Sequence, residues 1–392
     1  MRIFAQIWVV IVMNIRSLPL RLGMSLATVF AVAAVIGVLL FFLAMGNGFK
    51  ATLDGAGSDE IAVVTRVGSQ SEINSVLSRE QVNLIANAPG IAKNAQGNPI
   101  YSAELYVIVD GIKKSSGTKV NLPMRGISTV GFSLRKQVTI VEGRVFTPGR
   151  NEIMVGEGVL KQFAGFELGR KINFGKTTWE VVGIFSTGGS AFDSELWADA
   201  RAVQTQFRRG NSFQTMRLRL ARPGEVAALQ EFADNDPRLN VNIETEADYF
   251  ATQGNVIEGY VMFGWGLSII MGLGALAGAL NTMYTSVASR ASEIATLRAI
   301  GFSSISAFIG TLVEALILSF VGGLVGITAA YLFIDGNSAS TIGGSFTQVV
   351  FNFSLSPALL GDGLWVALAI GLFGGFFPAW KAARMPVVTA FE

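Results

Sequence analysis

The stretch SRASEIATLRAIG, residues 289–301, holds three charged side chains, Arg290, Glu293 and Arg298, inside an otherwise apolar reach of chain. No Asp, Glu, Lys or Arg precedes them back to Glu258, and none follows until Glu314. Read as a helix, the stretch sets Arg290 and Glu293 three apart, where they pair on one face. Ile294, Leu297 and Gly301 follow at i, i+3 and i+7 as an apolar stripe, and Gly301 ends the helix. A solvated connector has no use for such a stripe, whereas a surface docked on a partner has. A carboxylate inside an apolar span, such as Glu314, costs about 2.5–3.5 kcal/mol to insert. It therefore implies an ion pair with a nearby basic group, a part in relaying motion, or coupling to protons.

Other chemistry is scarce. The chain has no Cys and no His, which excludes disulfides, thiolate nucleophiles, imidazole metal sites and the commonest general base. No catalytic residue, metal site or bound cofactor is expected. GRKINFGKT resembles a phosphate loop, but five residues separate Gly169 from Gly175 where the motif needs four, and the segment reads as a β-hairpin turning at Gly175-Lys176. With a net charge of only +2, nothing points to nucleic acid.

The elements that carry these residues follow from hydrophobic runs. Of 392 residues, 51% are hydrophobic and 15% charged, against about 25% charged in soluble proteins. Four segments approach the roughly 20 apolar residues that cross a bilayer: 22–46, 257–283, 306–334 and 363–380. The first is too long for a signal-peptide core and reads as an uncleaved anchor. Basic residues cluster at the N-terminus (Arg2, Arg16, Arg21), in 284–305, and in the tail 381–392 (Lys381, Arg384), while 335–362 has none. The positive-inside rule then puts both termini and 284–305 in the cytoplasm, with 335–362 as an outer loop. Residues 1–21, broken by Asn14, Arg16 and Pro19, read as a helix in the cytoplasmic interface with Trp8 at headgroup depth.

Residues 47–256 are too many for a loop. Alternating runs such as EIAVVTR, ELYVIVDG and TWEVVGIF predict strands, and Ser78 with Gln81 predicts a capping box. The expected architecture is therefore a four-span membrane protein with a large α+β extracytoplasmic domain between the first two spans. That domain combines a βα unit built from both its ends with a β-rich insert at about 120–200. Three small-residue pairs, Gly274/Gly278, Gly322/Gly326 and Gly371/Gly375, suit close helix packing within or between subunits, or a glycine-lined passage.

With these elements in place, SRASEIATLRAIGF, LVEALILSFVGGLVGI and FFPAWKAARMPVVTAFE, with VEGRVFTPGRNEIMVGEGVLKQF in the outer domain, resemble the MacB/FtsX-type (mechanotransmission, type VII) ABC transporter permeases, lipoprotein-releasing permeases included. The resemblance implies a location in the bacterial inner membrane. It implies that Arg290, Glu293, Ile294, Leu297, Arg298 and Gly301 form a coupling helix on a separate cytoplasmic ATPase, which would hold ATP and Mg. Glu314 matches an acidic position early in the third span, and Pro378, Ala379, Ala382, Ala383 and Pro386 match the closing motif. A second permease copy or paralogue is implied, and in some members a periplasmic adaptor or membrane-fusion protein. Two functions are implied as alternatives: export or extraction of an amphiphile, or FtsX-like activation of a cell-wall hydrolase without transport.

Overall fold

A computed structural model describes residues 2–135, 137–342 and 348–385; Pro386 and the rest of the expected tail lie outside the described residues. The chain divides into two compact units, one comprising Met1–Asn47, Gly259–Asn337 and Ser354–Glu392, the other Gly48–Glu258 with Ser338–Phe353.

Four helices are long and apolar enough to cross a membrane: Leu22–Asp54, Glu246–Ser289, Ser304–Phe333 and Pro357–Arg384. They are named the first to fourth long helices below. The first, second and fourth extend past the apolar runs that marked them, because polar and charged residues continue the helix at their ends, whereas the third keeps close to the expected 306–334. The third is capped by Ser303, whose Oγ accepts the Ser306 amide at 3.2 Å, and the fourth begins with Pro357 behind the cap Ser356.

Within the first unit, Val32, Val35, Ile36, Leu40, Ala275, Ala330, Ala367 and Ile370 form a shared core. Phe30, Met262, Ile270 and Trp365 stand exposed on the outside, an arrangement suited to hydrocarbon rather than water. Small residues set the helix spacing. A Cβ on Gly322 would lie 2.8 Å from the Val29 carbonyl oxygen, one on Gly326 2.7 Å from that of Ala33, and one on Gly371 2.7 Å from Ser319 Cβ. Gly375 is likewise filled by Ala315. Two of the three glycine pairs thus hold the third long helix against the first and the fourth, whereas Gly274 and Gly278 have nothing within 4 Å.

The second unit is built on an eleven-stranded mixed sheet among the described residues. Nine strands run in the order Val241–Thr245, Ile61–Arg66, Thr215–Arg219, Tyr101–Lys113, Lys119–Ile127, Leu196–Asp199, Glu152–Gly156, Thr177–Ser186, Thr139–Gly143, and two more, Phe163–Ala164 and Lys171–Phe174, pair with Tyr101–Lys113 and Thr177–Ser186 off this path. The central stretch expected as an inserted β unit is hydrogen-bonded into this same sheet. The reason is the 13-residue strand Tyr101–Lys113: its start pairs with Thr215–Leu218 and the remainder with Lys119–Gly126. The segment 335–362, expected as an outer loop, holds strands of its own. Ser338–Ile342 and Gln348–Asn352 form a hairpin that belongs to this unit, where the Val350 amide donates to Ser194 Oγ at 2.8 Å. The capping box is present, with Ser78 Oγ accepting from Gln81 N at 3.1 Å and Gln81 Oε1 from Ser78 N at 3.0 Å.

Charges fill part of this unit's interior. Arg125, near the end of the strand Lys119–Ile127, reaches Glu195 at 2.7 Å, Glu72 at 2.7 Å and Glu104 at 3.1 Å. Arg217 reaches Glu72 at 2.5 Å, Glu246 at 2.8 Å and Glu104 at 3.0 Å. Arg135 adds a bidentate pair with Glu104 at 2.8 and 2.9 Å. Trp197 Nε1 donates to Glu195 at 2.7 Å, and the Arg135 guanidinium lies 4.7 Å over the Phe192 ring. Burial disfavours the charged form of Glu104, but the guanidiniums of Arg135, Arg217 and Arg125 outweigh it and hold its carboxyl far below the ordinary range. Glu152, held by Arg144 at 2.7 and 2.9 Å and by the Thr147 amide at 2.8 Å, is lowered to about 2 by those hydrogen bonds. Carboxyls depressed on folding stabilise the fold above their unfolded pKa of about 4.3 and lose that contribution as pH falls toward the folded value. The thermal unfolding midpoint should therefore hold from pH 7 to about 5 and fall progressively from about 4.5 to 2. Glu152→Gln should lower the midpoint at pH 7 and flatten part of that fall; an acid profile identical to the parent's would remove Glu152 from the account.

Candidate functional site: a charged junction at the helix ends

The second long helix ends at Ser289, and the short helix Ala291–Ala299 follows at once. It closes in a Schellman pattern: Phe302 N donates to Leu297 O at 3.0 Å and Gly301 N to Arg298 O at 3.1 Å, with Gly301 at φ +103°. That left-handed conformation requires glycine at this position.

Arg290 stands at the turn between the two helices and is buried. Its Nη2 donates to Asn14 Oδ1 at 2.6 Å, its Nε to Glu293 at 3.1 Å, and its Nη1 to Glu314 Oε2 at 3.4 Å. Glu314, itself 3% exposed, also lies 3.8 Å from Arg21 Nη2 and accepts from Ser286 Oγ at 3.3 Å. Arg21 Nη1 in turn donates to Ser286 Oγ. One charge cluster thus binds the N-terminal helix Arg2–Ser17, the turn Leu18–Arg21, the second and third long helices and the short helix. Of the three roles open to Glu314, the ion pair is what the geometry contains. Such a cluster holds five elements in one register and resists their separation, since Arg290 or Glu314 left alone would be a buried unpaired charge.

The apolar stripe is covered within this chain. Ile294 is buried against Val287 and Ala382, with Ala307 and Met385 beside them. Leu297 faces a small cavity lined by Val10, Met13, Phe302 and Ala307, and Arg298 Nη1 donates to the Met385 carbonyl. The stripe packs on its own chain because the N-terminal helix and the end of the fourth long helix lie against it. The free face holds Ser292, Glu293, Thr296, Ala299, Ile300 and Gly301, with Ile300 70% exposed. Pro378, Ala379 and Ala382 of the closing motif are buried in the fourth long helix, Ala383 partly so.

Sequence reasoning missed Asn14, Arg21 and Ser286 as members of the junction. Asn14 and Arg21 interrupt an apolar N-terminus, which was a signal of some function. Their partners lie 276 and 265 residues away, a separation that periodicity does not bridge. The phosphate-loop lookalike is a hairpin: Phe174 pairs with Thr177 across Gly175-Lys176, and Gly175 has φ +61°.

Two family models match the chain. Residues 24–235 match the MacB-like periplasmic core domain and residues 265–387 the FtsX-like permease C-terminal domain. The ABC transporter permease YknZ of Bacillus subtilis is 25% identical over 67% of this chain and 68% of its own length. The macrolide export ATP-binding/permease protein MacB of Mannheimia succiniciproducens is 22% identical over 93% of this chain. The chain spans 58% of that relative's length. Among solved structures, the periplasmic region of MacB from Actinobacillus actinomycetemcomitans aligns with 50% of this chain and 94% of its own, at 14% identity and a TM-score of 0.38. With both domain models matched in order along most of its length, the chain belongs to the MacB/FtsX-type family of ABC transporter permeases.

Proposed function

We propose that this chain is the membrane subunit through which a separate cytoplasmic ATPase, carrying ATP and Mg, drives shape changes of the outer domain to export or extract an amphiphile. The observation that carries this reading is the Arg290–Glu314–Arg21–Asn14 cluster. It makes the short helix one mechanical body with the N-terminal helix and the second and third long helices, so a push on the short helix moves all of them. The proposed topology has four spans with both termini and residues 284–305 in the cytoplasm of the bacterial inner membrane, and the αβ domain outside. The macrolide export named for MacB supports transport as the purpose; the substrate is proposed only as an amphiphile. Gly274 and Gly278, unfilled within the chain, suit packing against a second permease copy.

The ATPase contact is assigned to the free face of the short helix rather than to its buried stripe. Ile300→Asp should sharply reduce recovery of the ATPase in co-purification from membranes while leaving permease yield unchanged. Ile300 is 70% exposed, so its replacement should leave the permease fold intact, and an undiminished ATPase yield would remove this face as the docking surface.

A further inference from the structure

The second long helix leaves the outer domain from a socket, not from a free linker. Its first residue, Glu246, is buried and accepts from Arg217 Nε at 2.8 Å. Three residues on, the Tyr249 hydroxyl accepts the Glu72 amide at 3.3 Å, and one turn further Gln253 Nε2 donates to the Gln70 carbonyl at 2.8 Å. The incoming segment meets the same point. Gly57, shortly after the first long helix ends at Asp54, has room for no side chain: a Cβ there would lie 2.7 Å from Ala247 Cα.

The charge count at this point is uneven. Glu72, Glu104, Glu195 and Glu246 face Arg125, Arg135 and Arg217, all buried. Four acids against three guanidiniums leave one buried negative charge in excess, or one carboxyl that must carry a proton. Stability by itself would favour three acids, since an unmatched buried charge is unfavourable. Replacing Glu246 balances the cluster, so stability does not explain its presence. Its distinguishing property is its place, at the first turn of the helix that returns toward the membrane.

We infer that Glu246 is a positioning residue: with Arg217, and with the Gly57–Ala247 contact, it locks the incoming segment and the outgoing helix to one point of the sheet. The two connections then move the domain as a pair. This rests on the force-transmitting role proposed above.

The chain has no Cys, so spin labels can be placed on the full-length protein in lipid nanodiscs without background. Lys93→Cys near the sheet and Thr252→Cys on the second long helix are both exposed and report the helix-to-sheet distance. The parent should give one narrow distribution. Glu246→Gln, which keeps an acceptor for Arg217 Nε, should retain it with a thermal midpoint at or above the parent's; Glu246→Ala, which leaves that donor unmatched, should lose it. Gly57→Val should shift the mean distance. The inference is overturned if Glu246→Ala keeps the narrow distribution, or if both Glu246 variants lose it together with a lowered midpoint. The measurement needs neither nucleotide nor ATPase, so it fails or succeeds apart from co-purification of the ATPase.

Discussion

Arg217→Met should abolish cooperative folding of the outer domain or shift its denaturation midpoint far down. The guanidinium is wholly buried and serves three carboxylates. Methionine approximates its length but leaves four acids facing two arginines. Removing one partner from a buried ionic cluster costs about 3–5 kcal/mol, a large share of the roughly 5–15 kcal/mol that holds a domain folded. Trp179 and Trp197, both fully buried, make denaturant unfolding readable by fluorescence. The pH dependence gives a second signature. Carboxyls stripped of Arg217 have folded pKa values raised by burial, so protonation relieves the variant as pH falls from 7 toward 5. The parent holds its midpoint over that range and loses stability only at lower pH, so the gap between the two should narrow. Equal midpoints at pH 7 would show that these ion pairs contribute nothing to the fold.

The same residue shows what sequence can and cannot disclose. Arg217 lies in TMRLRL, and Arg125 in NLPMRGI; each reads as an alternating strand whose charged positions face water. Burial of those positions depends on Glu72, Glu195 and Glu246 arriving from distant parts of the chain. Local signals fared better. The capping box at Ser78, the turn at Gly175-Lys176, the stop at Gly301 and the Arg290–Glu293 pair are each decided by residues within a few positions, and each is present. The stripe of Ile294 and Leu297 was legible as an apolar face, but not as one covered by its own chain, because a buried intramolecular face and a docking face share one pattern. The hairpin strands Ser338–Ile342 and Gln348–Asn352 escaped because each is only five residues long, with little alternation of apolar and polar residues to mark it. Family likeness rests on the local motifs; the two charge clusters that organise the structure lie in contacts that motifs do not express.

Those clusters also differ in how they respond to repair, and the junction provides the sharper test. Arg290→Met should sharply reduce yield and thermal stability of the full chain, since Asn14 loses its donor and Glu314 keeps only Arg21, at 3.8 Å, as a charged partner beside the Ser286 hydroxyl. The cost is about 3–5 kcal/mol, as for other broken buried pairs. Adding Glu314→Leu removes the stranded carboxylate and fills its volume, so the double variant should recover most of the lost stability. Well-packed apolar residues often replace a buried ion pair without loss. If the cluster only stabilises, the double variant should also regain ATPase association and nucleotide-driven change in the outer domain. If it transmits motion, the recovered fold should bind the ATPase through the intact Ile300 face yet fail to pass the change outward, because apolar packing lets helices slide where the Arg290–Asn14 and Arg290–Glu314 bonds fix them in register. Distance measurements between labels in the outer domain, with and without nucleotide, separate the two. A double variant that behaves like the parent in both would reduce the junction to a stabilising contact.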